Sequence, residues 1–384
     1  MIYLDNNATT RPFPKVVEAM VPYLSDCFLN PAASTAAFTS AGVPREAAAM
    51  ELAKLFNAEG TECFTFTSGA TESNNWVFSS ILKTYRAGSV LISTVEHPSV
   101  SEPAAELARN GIKVIEIPVD ERGVINLEAL KAALSQETVM VSVMAANNET
   151  GVLQPLKEIG EIIRIKSPSA IFHTDAAQAV GKIHIDLCND WQNIDLMTFS
   201  AHKFHGPKGI GGLYIRPGIE ITPLLLGGGQ EEGRRSGTTN TPALAGLAAA
   251  VVELNDHGLE STSVLRNQFE AELRMCFPKV QIHGDGAARL PNTCCFSLPG
   301  VIGDDLAISL AMRDVIVGTG SACSSGTIQP SKTLLAMKVA HDTAKAALRI
   351  SLDQSTTASH ISKFFECLSD ILSASSIPVE LPVK

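Results

Sequence analysis

One stretch of the sequence combines a short apolar strand, a glycine turn and the beginning of a helix: Phe64-Thr65-Phe66-Thr67-Ser68-Gly69-Ala70-Thr71-Glu72-Ser73-Asn74-Asn75. The pattern predicts a strand at residues 64–67 that ends at Ser68-Gly69, and a helix from Thr71 to about Lys83. A helix that begins at such a turn directs free backbone N–H groups and its positive dipole end toward an anion. The stretch therefore predicts a phosphate-binding turn, although a capped helix without a ligand explains it equally well when it is taken alone.

Further apolar strands alternate with helical patterns along the first two thirds of the chain. The candidate strands lie at residues 90–94, 113–117, 139–144, 171–174 and 196–199. The run at 139–144 is continuously apolar, as expected for a strand that is covered on both faces. The alternation predicts an α/β domain with a mainly parallel sheet flanked by helices.

The pattern changes after about Val252. Helical patterns at residues 264–275, 304–312 and 357–372 then dominate, with strands near Val280 and at 293–296. This predicts a smaller α+β domain at the C-terminal end, with a cleft between the two domains. We expect the large domain at residues 12–255 and the small domain at residues 1–11 and 256–384.

Composition and charge exclude several classes of protein. The 384 residues carry a formal net charge of −10 at pH 7, which argues against a nucleic-acid-binding protein. The N-terminus lacks the pattern of a signal peptide and no stretch has the length of a membrane span, so we expect a cytoplasmic protein. Eight scattered cysteines without a C-x-x-C pair argue against a zinc site and are expected to be free thiols, most of them in the core.

A lysine follows another candidate strand, in the stretch Ser200-Ala201-His202-Lys203-Phe204-His205-Gly206-Pro207-Lys208-Gly209. Its glycine and polar neighbours suit a cleft, where burial and nearby positive charge lower a lysine pKa and make the amine nucleophilic toward an aldehyde. Ser200 and His202 can bind the same anion as the glycine turn. Taken alone, Lys203 is better explained as a solvated surface lysine, so its assignment depends on the other motifs.

Three more polar motifs follow predicted strands. In His173-Thr174-Asp175-Ala176-Ala177-Gln178, the carboxylate can pair with a protonated ring nitrogen, and the glutamine can reach another ring substituent. In Glu96-His97-Pro98-Ser99, the imidazole can stack on an aromatic cofactor and transfer protons. In Asn147-Asn148-Glu149-Thr150-Gly151, an amide can reach the same cofactor. Each motif has a structural alternative: a helix N-cap at Asp175, a structural histidine, and a turn.

These motifs share one position relative to the predicted sheet. Ligands of parallel sheets bind beyond the carboxyl ends of the strands, which is where every motif lies. A lysine, an acid, a stacking imidazole and a phosphate-binding turn then converge on one ligand. A phosphorylated pyridine aldehyde requires all four of these groups.

The chain resembles the cysteine desulfurases of the NifS/IscS type, in the class V aminotransferase branch of the fold-type I PLP-dependent transferases. The resemblance runs from Ile2 to about Leu352. It implies a large domain with a seven-stranded-type sheet and a small domain that carries a catalytic cysteine loop. The motifs that carry it lie at residues 3–10, 67–75, 96–98, 147–151, 173–182, 200–212, 227–231, 234–238 and 320–325.

The resemblance assigns a role to each candidate site residue. It implies that Lys203 carries pyridoxal 5′-phosphate, that Asp175 pairs with the pyridine nitrogen and that His97 stacks on the ring. The residues implied to contact the ring hydroxyl region are Gln178 and Asn148. The implied phosphate ligands are Ala70, Thr71, Ser200, His202 and, from the other subunit of a homodimer, Thr238. The implied ligands of the substrate carboxylate are Asn30 and Arg349.

Cys323 matches the nucleophile of the resembled family, in a stretch rich in glycine and serine. The implied reaction removes sulfur from L-cysteine, giving alanine and a persulfide that passes to an iron-sulfur scaffold or another acceptor protein. The start of the chain and Arg11 resemble the NifS enzymes, whose sulfur goes to nitrogenase clusters, more than the IscS enzymes. A loop cysteine without a role is the alternative for Cys323 itself.

The sequence also departs from the family pattern and leaves rival functions open. Thr35 and neighbouring small residues stand where the family usually has a histidine and a glycine, and Met50 replaces an expected arginine. We expect these departures near the substrate entrance or an interface. The rivals are selenocysteine lyase or transamination on the same fold, and a catalytically silent sulfur-delivery scaffold; the complete set of Lys203, Asp175, His97 and Cys323 argues against the last.

Overall fold

Two β-sheets organise the residues that the computed structural model describes, which are 1–256, 260–320 and 329–374. The strands are β1 (Ile2–Leu4), β2 (Phe64–Thr67), β3 (Ser89–Ser93), β4 (Lys113–Ile117), β5 (Thr138–Ser142), β6 (Ile171–Asp175), β7 (Leu196–Ser200), β8 (Gly211–Ile215), β9 (Gln281–His283), β10 (Thr293–Ser297), β11 (Val315–Thr319) and β12 (Ala347–Ser351).

Helices cover both sheets. They are α1 (Pro14–Met20), α2 (Val43–Leu55), α3 (Ala70–Thr84), α4 (Pro98–Arg109), α5 (Leu127–Ala133), α6 (Leu156–Lys166), α7 (Thr241–Asp256), α8 (Glu260–Cys276), α9 (Gly303–Ala311), α10 (Lys332–Ala336), α11 (His341–Lys345) and α12 (Ala358–Ala374). None of those in the described residues combines the length and the apolar composition needed to span a bilayer.

The first sheet has seven strands in the order β2-β8-β7-β6-β5-β3-β4. Strand β8 runs antiparallel to both neighbours, and the pairs from β7 to β4 are parallel. This confirms the predicted α/β fold with a mainly parallel seven-stranded sheet. Because β2 and β7 both run antiparallel to β8, the carboxyl ends of β2, β3, β5, β6 and β7 meet at one edge.

The apolar strands are buried on both faces, as the sequence predicts for β5. Alternate residues pack against different helices: Val90 and Ile92 lie in the hydrophobic cluster with α3 and α4, whereas Leu91 lies in the cluster with α2, α6 and α7. Burial of both faces explains why these strands read as continuous apolar runs rather than as alternating patterns.

The second sheet has five strands in the order β1-β11-β12-β10-β9. Strand β1 pairs in parallel with β11, with Leu4 opposite Val317, and the other pairs are antiparallel. Helices α8, α9 and α12 contribute to the hydrophobic cluster packed on this sheet. The start of the chain therefore belongs to a sheet that is otherwise built from residues after 280.

Candidate active site

A cavity of about 480 Å³ lies at the edge where the carboxyl ends of the parallel strands meet. Ten of the residues predicted to act in the site line it, and they come from elements far apart in the sequence. These residues are Ala70, Thr71, His97, Asn148, Asp175, Gln178, Ser200, His202, Lys203 and Arg349.

Lys203 lies directly after β7, in a short 3-10 helix that spans Ala201–Lys203. Its Nζ atom donates hydrogen bonds to the backbone carbonyls of Asn7, at 2.8 Å, and Ala8, at 2.9 Å. Burial and the nearby Arg349 guanidinium lower the pKa of Lys203 from 10.5 to about 8. The amine therefore lies in a lined cavity and is more easily deprotonated than a surface lysine.

Asn7 connects this lysine to its surroundings. The Asn7 carbonyl also accepts from Nε2 of Gln178 at 2.8 Å, and its side chain donates to Oγ1 of Thr293 at 2.9 Å. The buried Lys182 donates to Oδ1 of Asn7 at 3.0 Å and to Oε1 of Gln178 at 2.6 Å. Burial and the neighbouring Lys203 lower the pKa of Lys182 well below its usual value.

Asp175 ends β6, and its carboxylate is held on two sides. Oδ1 accepts from the backbone N–H of Ala177 at 2.9 Å, and Oδ2 accepts from Nδ2 of Asn74 at 2.7 Å. The bond to Ala177 shows that the residue also makes a local turn, but the carboxylate still lines the cavity. His97 lies at the N-terminus of α4, and burial lowers its pKa although Asp175 acts in the opposite direction.

The beginning of α3 forms one end of the cavity, with groups that suit an anion. Gly69 has a φ of +150°, and a Cβ atom at this position would lie 3.3 Å from Oγ of Ser200. Only a glycine combines this backbone conformation with such a close approach. The first N–H groups of α3 have no partner within the helix, so they are available to an anion together with the hydroxyls of Thr71 and Ser200.

His202 faces the same end of the cavity with a neutral imidazole. Its Nδ1 atom lies 3.1 Å from Oγ1 of Thr9, which leaves the other ring nitrogen for the cavity. Burial lowers the pKa of His202 to about 4, and the positive charges of Lys203, Lys208 and Lys182 act in the same direction.

Arg349, on β12, brings the second sheet to the cavity. Its Nη1 atom donates to the carbonyl of Asn148 at 2.9 Å, and its Nη2 atom pairs with the Asp5 carboxylate. The buried Nε atom has no hydrogen-bond acceptor in the described part of the chain.

In the motif at residues 147–151, Asn147 makes the predicted turn by accepting from the backbone N–H groups of Glu149 and Thr150. Its neighbour Asn148 lines the cavity.

Two predicted site residues lie outside this cavity. Asn30 is exposed, and its side chain accepts from the backbone N–H of Ala32 at 2.9 Å. Thr238 lines a neighbouring cavity of about 250 Å³, which shares Ser68 and Gly209 with the first. Cys323 lies outside the described residues.

The two departures from the family pattern lie away from the cavity lining. Thr35 is exposed and precedes a 3-10 turn at Ala36–Phe38. Met50 lies on α2 with about half of its surface exposed. Neither residue lines the cavity, and the expectation that they lie near the substrate entrance or an interface stays a prediction.

Four polar residues that support the site were not predicted from the sequence: Asn7, Asn74, Ser99 and Lys182. Each acts through hydrogen bonds to a predicted site residue. Asn74 belongs to the first quoted stretch. Its position about one turn after the start of α3 is the feature of the sequence that could have identified it. Nothing local distinguishes Lys182 from a surface lysine.

The lining groups define what the cavity can bind. It offers donors for an anion at the α3 end, a nucleophilic amine at Lys203 and a carboxylate at Asp175. The guanidinium of Arg349 suits a second anion, because its planar fork matches a carboxylate. This donor set fits a phosphorylated pyridine aldehyde together with an amino acid.

Comparisons with known proteins agree with this geometry. The family described as Aminotransferase class-V matches residues 2–364. A protein of Clostridium botulinum named cysteine desulfurase IscS is 39% identical over 378 residues, which cover 97% of this chain and 94% of the relative. A cysteine desulfurase IscS of Rickettsia bellii is 42% identical over 94% of this chain and 88% of its own length.

Solved structures give the same result. A NifS-like protein matches with a TM-score of 0.90 and 35% identity, covering 97% of this chain and 99% of the other. A structure described as SspA in complex with cysteine matches with a TM-score of 0.80 and 31% identity, covering 92% of this chain and 99% of the other. These matches confirm the resemblance inferred from the motifs. The chain belongs to the class-V aminotransferase family.

Proposed function

We propose that this protein is a cysteine desulfurase that takes sulfur from L-cysteine with the help of pyridoxal 5′-phosphate. The observation that carries the proposal is the convergence of Lys203, Asp175 and Arg349 on one cavity. The relatives named cysteine desulfurase, which align along nearly the whole chain, support the same activity.

The cavity lining would hold the cofactor at its two ends. The phosphate would lie at the beginning of α3, and Asp175 would pair with the pyridine nitrogen while His97 lies beside the ring. When bound, pyridoxal phosphate supplies an electron sink for chemistry at the α-carbon of an amino acid. The proposed phosphate ligands are Ala70, Thr71, Ser200 and His202, and Gln178 and Asn148 are the proposed contacts of the ring hydroxyl region.

Lys203 would attach the cofactor and move the substrate's α-proton. A pKa of about 8 instead of 10.5 raises the neutral fraction of the amine at pH 7 by roughly 300-fold. Only the neutral amine can attack an aldehyde or accept a proton. The hydrogen bonds to the carbonyls of Asn7 and Ala8 orient its nitrogen.

Arg349 would bind the carboxylate of the substrate. Its guanidinium lines the cavity, and its Nε atom has no acceptor among the described residues. Asn30 remains a proposed second carboxylate ligand. Since its side chain is exposed, that role requires residues near position 30 to approach the cavity.

Cys323 would accept the sulfur. Its thiolate attacks the substrate sulfur, the carbon–sulfur bond breaks, and a sulfur–sulfur bond forms on the cysteine. The amino acid product leaves as alanine after it gains a proton. The persulfide then passes to an acceptor, which we propose to be an iron-sulfur scaffold, of the nitrogenase type or another.

We also propose that the active form is a homodimer. Large apolar side chains are unusually exposed in one part of the chain, among them Leu24, Phe28 and Phe38, the last with 91% of its surface exposed. Burial of such side chains against a second copy would remove them from water. Thr238 would then reach the phosphate in the partner subunit.

The domain boundaries and the cytoplasmic location expected from the sequence stay predictions.

The experiment that tests this function compares the wild-type protein with Cys323→Ser. After incubation with cysteine and alkylation, peptide mass spectrometry should find one extra sulfur on Cys323 of the wild type. The variant should keep its cofactor and bind cysteine, but release almost no alanine. Normal alanine release by the variant would contradict the mechanism, and a selenium reaction that survives the substitution would favour a selenocysteine lyase.

A further inference from the structure

A line of hydrogen bonds connects Asp175 to His97, two residues that line the cavity. Nδ2 of Asn74 donates to Oδ2 of Asp175 at 2.7 Å and to Oγ of Ser99 at 2.9 Å. The same Oγ lies 2.8 Å from Nδ1 of His97. Asn74 is fully buried, and Ser99 and Asp175 are nearly so. Neither Asn74 nor Ser99 was predicted to act in the site.

The direction of each bond follows from its donors. The backbone N–H of Ser99 donates to Nδ1 of His97 at 3.1 Å, and a backbone N–H can only donate. Nδ1 is therefore an acceptor and carries no proton. The Ser99 hydroxyl then donates to Nδ1 and accepts from Asn74, whose two amide hydrogens are used by Ser99 and Asp175.

The backbone holds these partners in place. His97 is the N-cap of α4, and Ser99 belongs to the first turn of that helix, so their contact is fixed by the helix itself. Asn74 lies on α3, which packs against α4 in a shared hydrophobic cluster. The direction of every bond is consistent with a neutral imidazole, and burial favours that form.

We propose that Asn74 and Ser99 are positioning residues that hold His97 as the neutral tautomer with its proton on Nε2. The cavity then faces an N–H group, which donates a hydrogen bond but cannot accept a proton. Proton abstraction from a substrate then falls to Lys203, and His97, which the sequence predicts to transfer protons, would not share this step. This catalytic consequence rests on the proposed function, whereas the tautomer itself does not.

The tautomer is measured by two-dimensional ¹⁵N–¹H NMR of the cofactor-free protein labelled with ¹⁵N-histidine, with His97→Gln used to assign the signals. We expect Nδ1 of His97 to show the shift of an unprotonated nitrogen and Nε2 that of a protonated one. A spectrum in which Nδ1 carries the proton would overturn the proposal. Because the measurement needs no activity, its outcome is independent of whether the protein is a desulfurase.

Variants distinguish the contributions of Ser99 and Asn74 to the tautomer of His97. Ser99→Ala removes the hydroxyl donor but keeps the backbone N–H, so the population protonated at Nδ1 should rise by roughly 2- to 10-fold, the value of one hydrogen bond. Ser99→Thr keeps a hydroxyl and should preserve the wild-type spectrum. An unchanged spectrum for Ser99→Ala would contradict the role of the hydroxyl.

Asn74→Ala should shift the tautomer in the same direction, because the Ser99 hydroxyl no longer has to accept from Asn74. The double variant should shift it no further than Ser99→Ala alone, and an additive shift would contradict an action through Ser99. Asn75→Ala, at the exposed neighbouring position, is the matched control and should leave the spectrum unchanged. If a variant fails to fold, the wild-type spectrum still decides the assignment.

Discussion

The Nζ atom of Lys203 lies 2.8 Å from the backbone carbonyl oxygen of Asn7, a residue 196 positions earlier in the chain. The same asparagine accepts hydrogen bonds from Gln178 and Lys182, so one residue orients several groups around the amine. The position of the proposed catalytic lysine therefore depends on the first turn after β1 as well as on its own strand.

The first prediction concerns the protonation of Lys203. Because burial and Arg349 lower its pKa to about 8, the rate at which cofactor-free protein takes up pyridoxal phosphate should rise with pH, with a midpoint near pH 8 and a plateau about one pH unit higher. The rate is followed by absorbance, and borohydride should then fix the cofactor to the peptide that contains Lys203. A midpoint near 10, or label on a different lysine, would refute the assignment.

The second prediction concerns Asp175. Asp175→Asn keeps the shape of the side chain but removes the charge that would stabilise a protonated pyridine nitrogen. We expect kcat to fall by at least about 100-fold while cofactor content falls little, since the phosphate ligands are unchanged. Alanine release and absorbance measure the two quantities. Wild-type turnover in a fully loaded variant would exclude this role.

The third prediction concerns Asn7 and stability. Asn7→Ala leaves the buried amine of Lys182 and the hydroxyl of Thr293 without one partner each. Both groups keep one other partner, so the cost is that of lost hydrogen bonds, about 0.5–1.5 kcal/mol each, and the free energy of unfolding should fall by about 1–3 kcal/mol in denaturant titrations. Asn110→Ala, at an exposed position, is the control and should change it by less than about 0.5 kcal/mol. Equal effects of the two variants would argue against the structural role of Asn7.

The fourth prediction concerns substrate binding by Arg349. Arg349→Lys keeps the charge but replaces a planar fork by a single ammonium group. We expect kcat/KM for cysteine to fall about 10- to 100-fold, mainly through KM, because a hydrogen bond to a charged group contributes about 1.5–3 kcal/mol. Arg313→Lys on the surface should have no effect. An unchanged KM would show that the substrate carboxylate binds elsewhere.

The fifth prediction concerns the proposed exchange of Thr238 between subunits. Lys203→Ala and a severe Thr238 variant, co-expressed, should form mixed dimers in which one site carries both lesions and the other carries neither. Partial recovery of activity is expected. Verified mixed dimers that remain inactive would contradict a shared site.

Local patterns predicted the strands of the first sheet because burial on both faces leaves long apolar runs. Residues 64–67 were predicted with the bounds that the fully buried β2 has, and β6 and β7 differ from their predictions by one residue. The sequence did not indicate β8, which begins with Gly211 and Gly212. At Gly212 a Cβ atom would lie 2.5 Å from the Phe199 ring, so close packing requires a residue with no strand propensity.

The lining of the cavity was predictable where a polar or charged group follows a strand, as at Asp175 and Lys203. The supporting residues were not, because their roles exist only through distant partners. Asn74 contacts Asp175 across 101 positions, and Lys182 contacts Asn7 across 175. No local pattern encodes such pairs, because the residues adjacent in sequence to an asparagine or lysine do not reveal whether it is buried against a distant partner.

The pairing of β1 with β11 determines how late in the synthesis of the chain the second sheet can form. Ile2–Leu4 is made more than 300 residues before its partner Val315–Thr319. Until then β1 has no neighbouring strand, and the Asn7 carbonyl that orients Lys203 is not anchored to the second sheet. The nascent chain can therefore complete its seven-stranded sheet before β11 is made, while the finished cavity is formed only after β11 and β12 have been made.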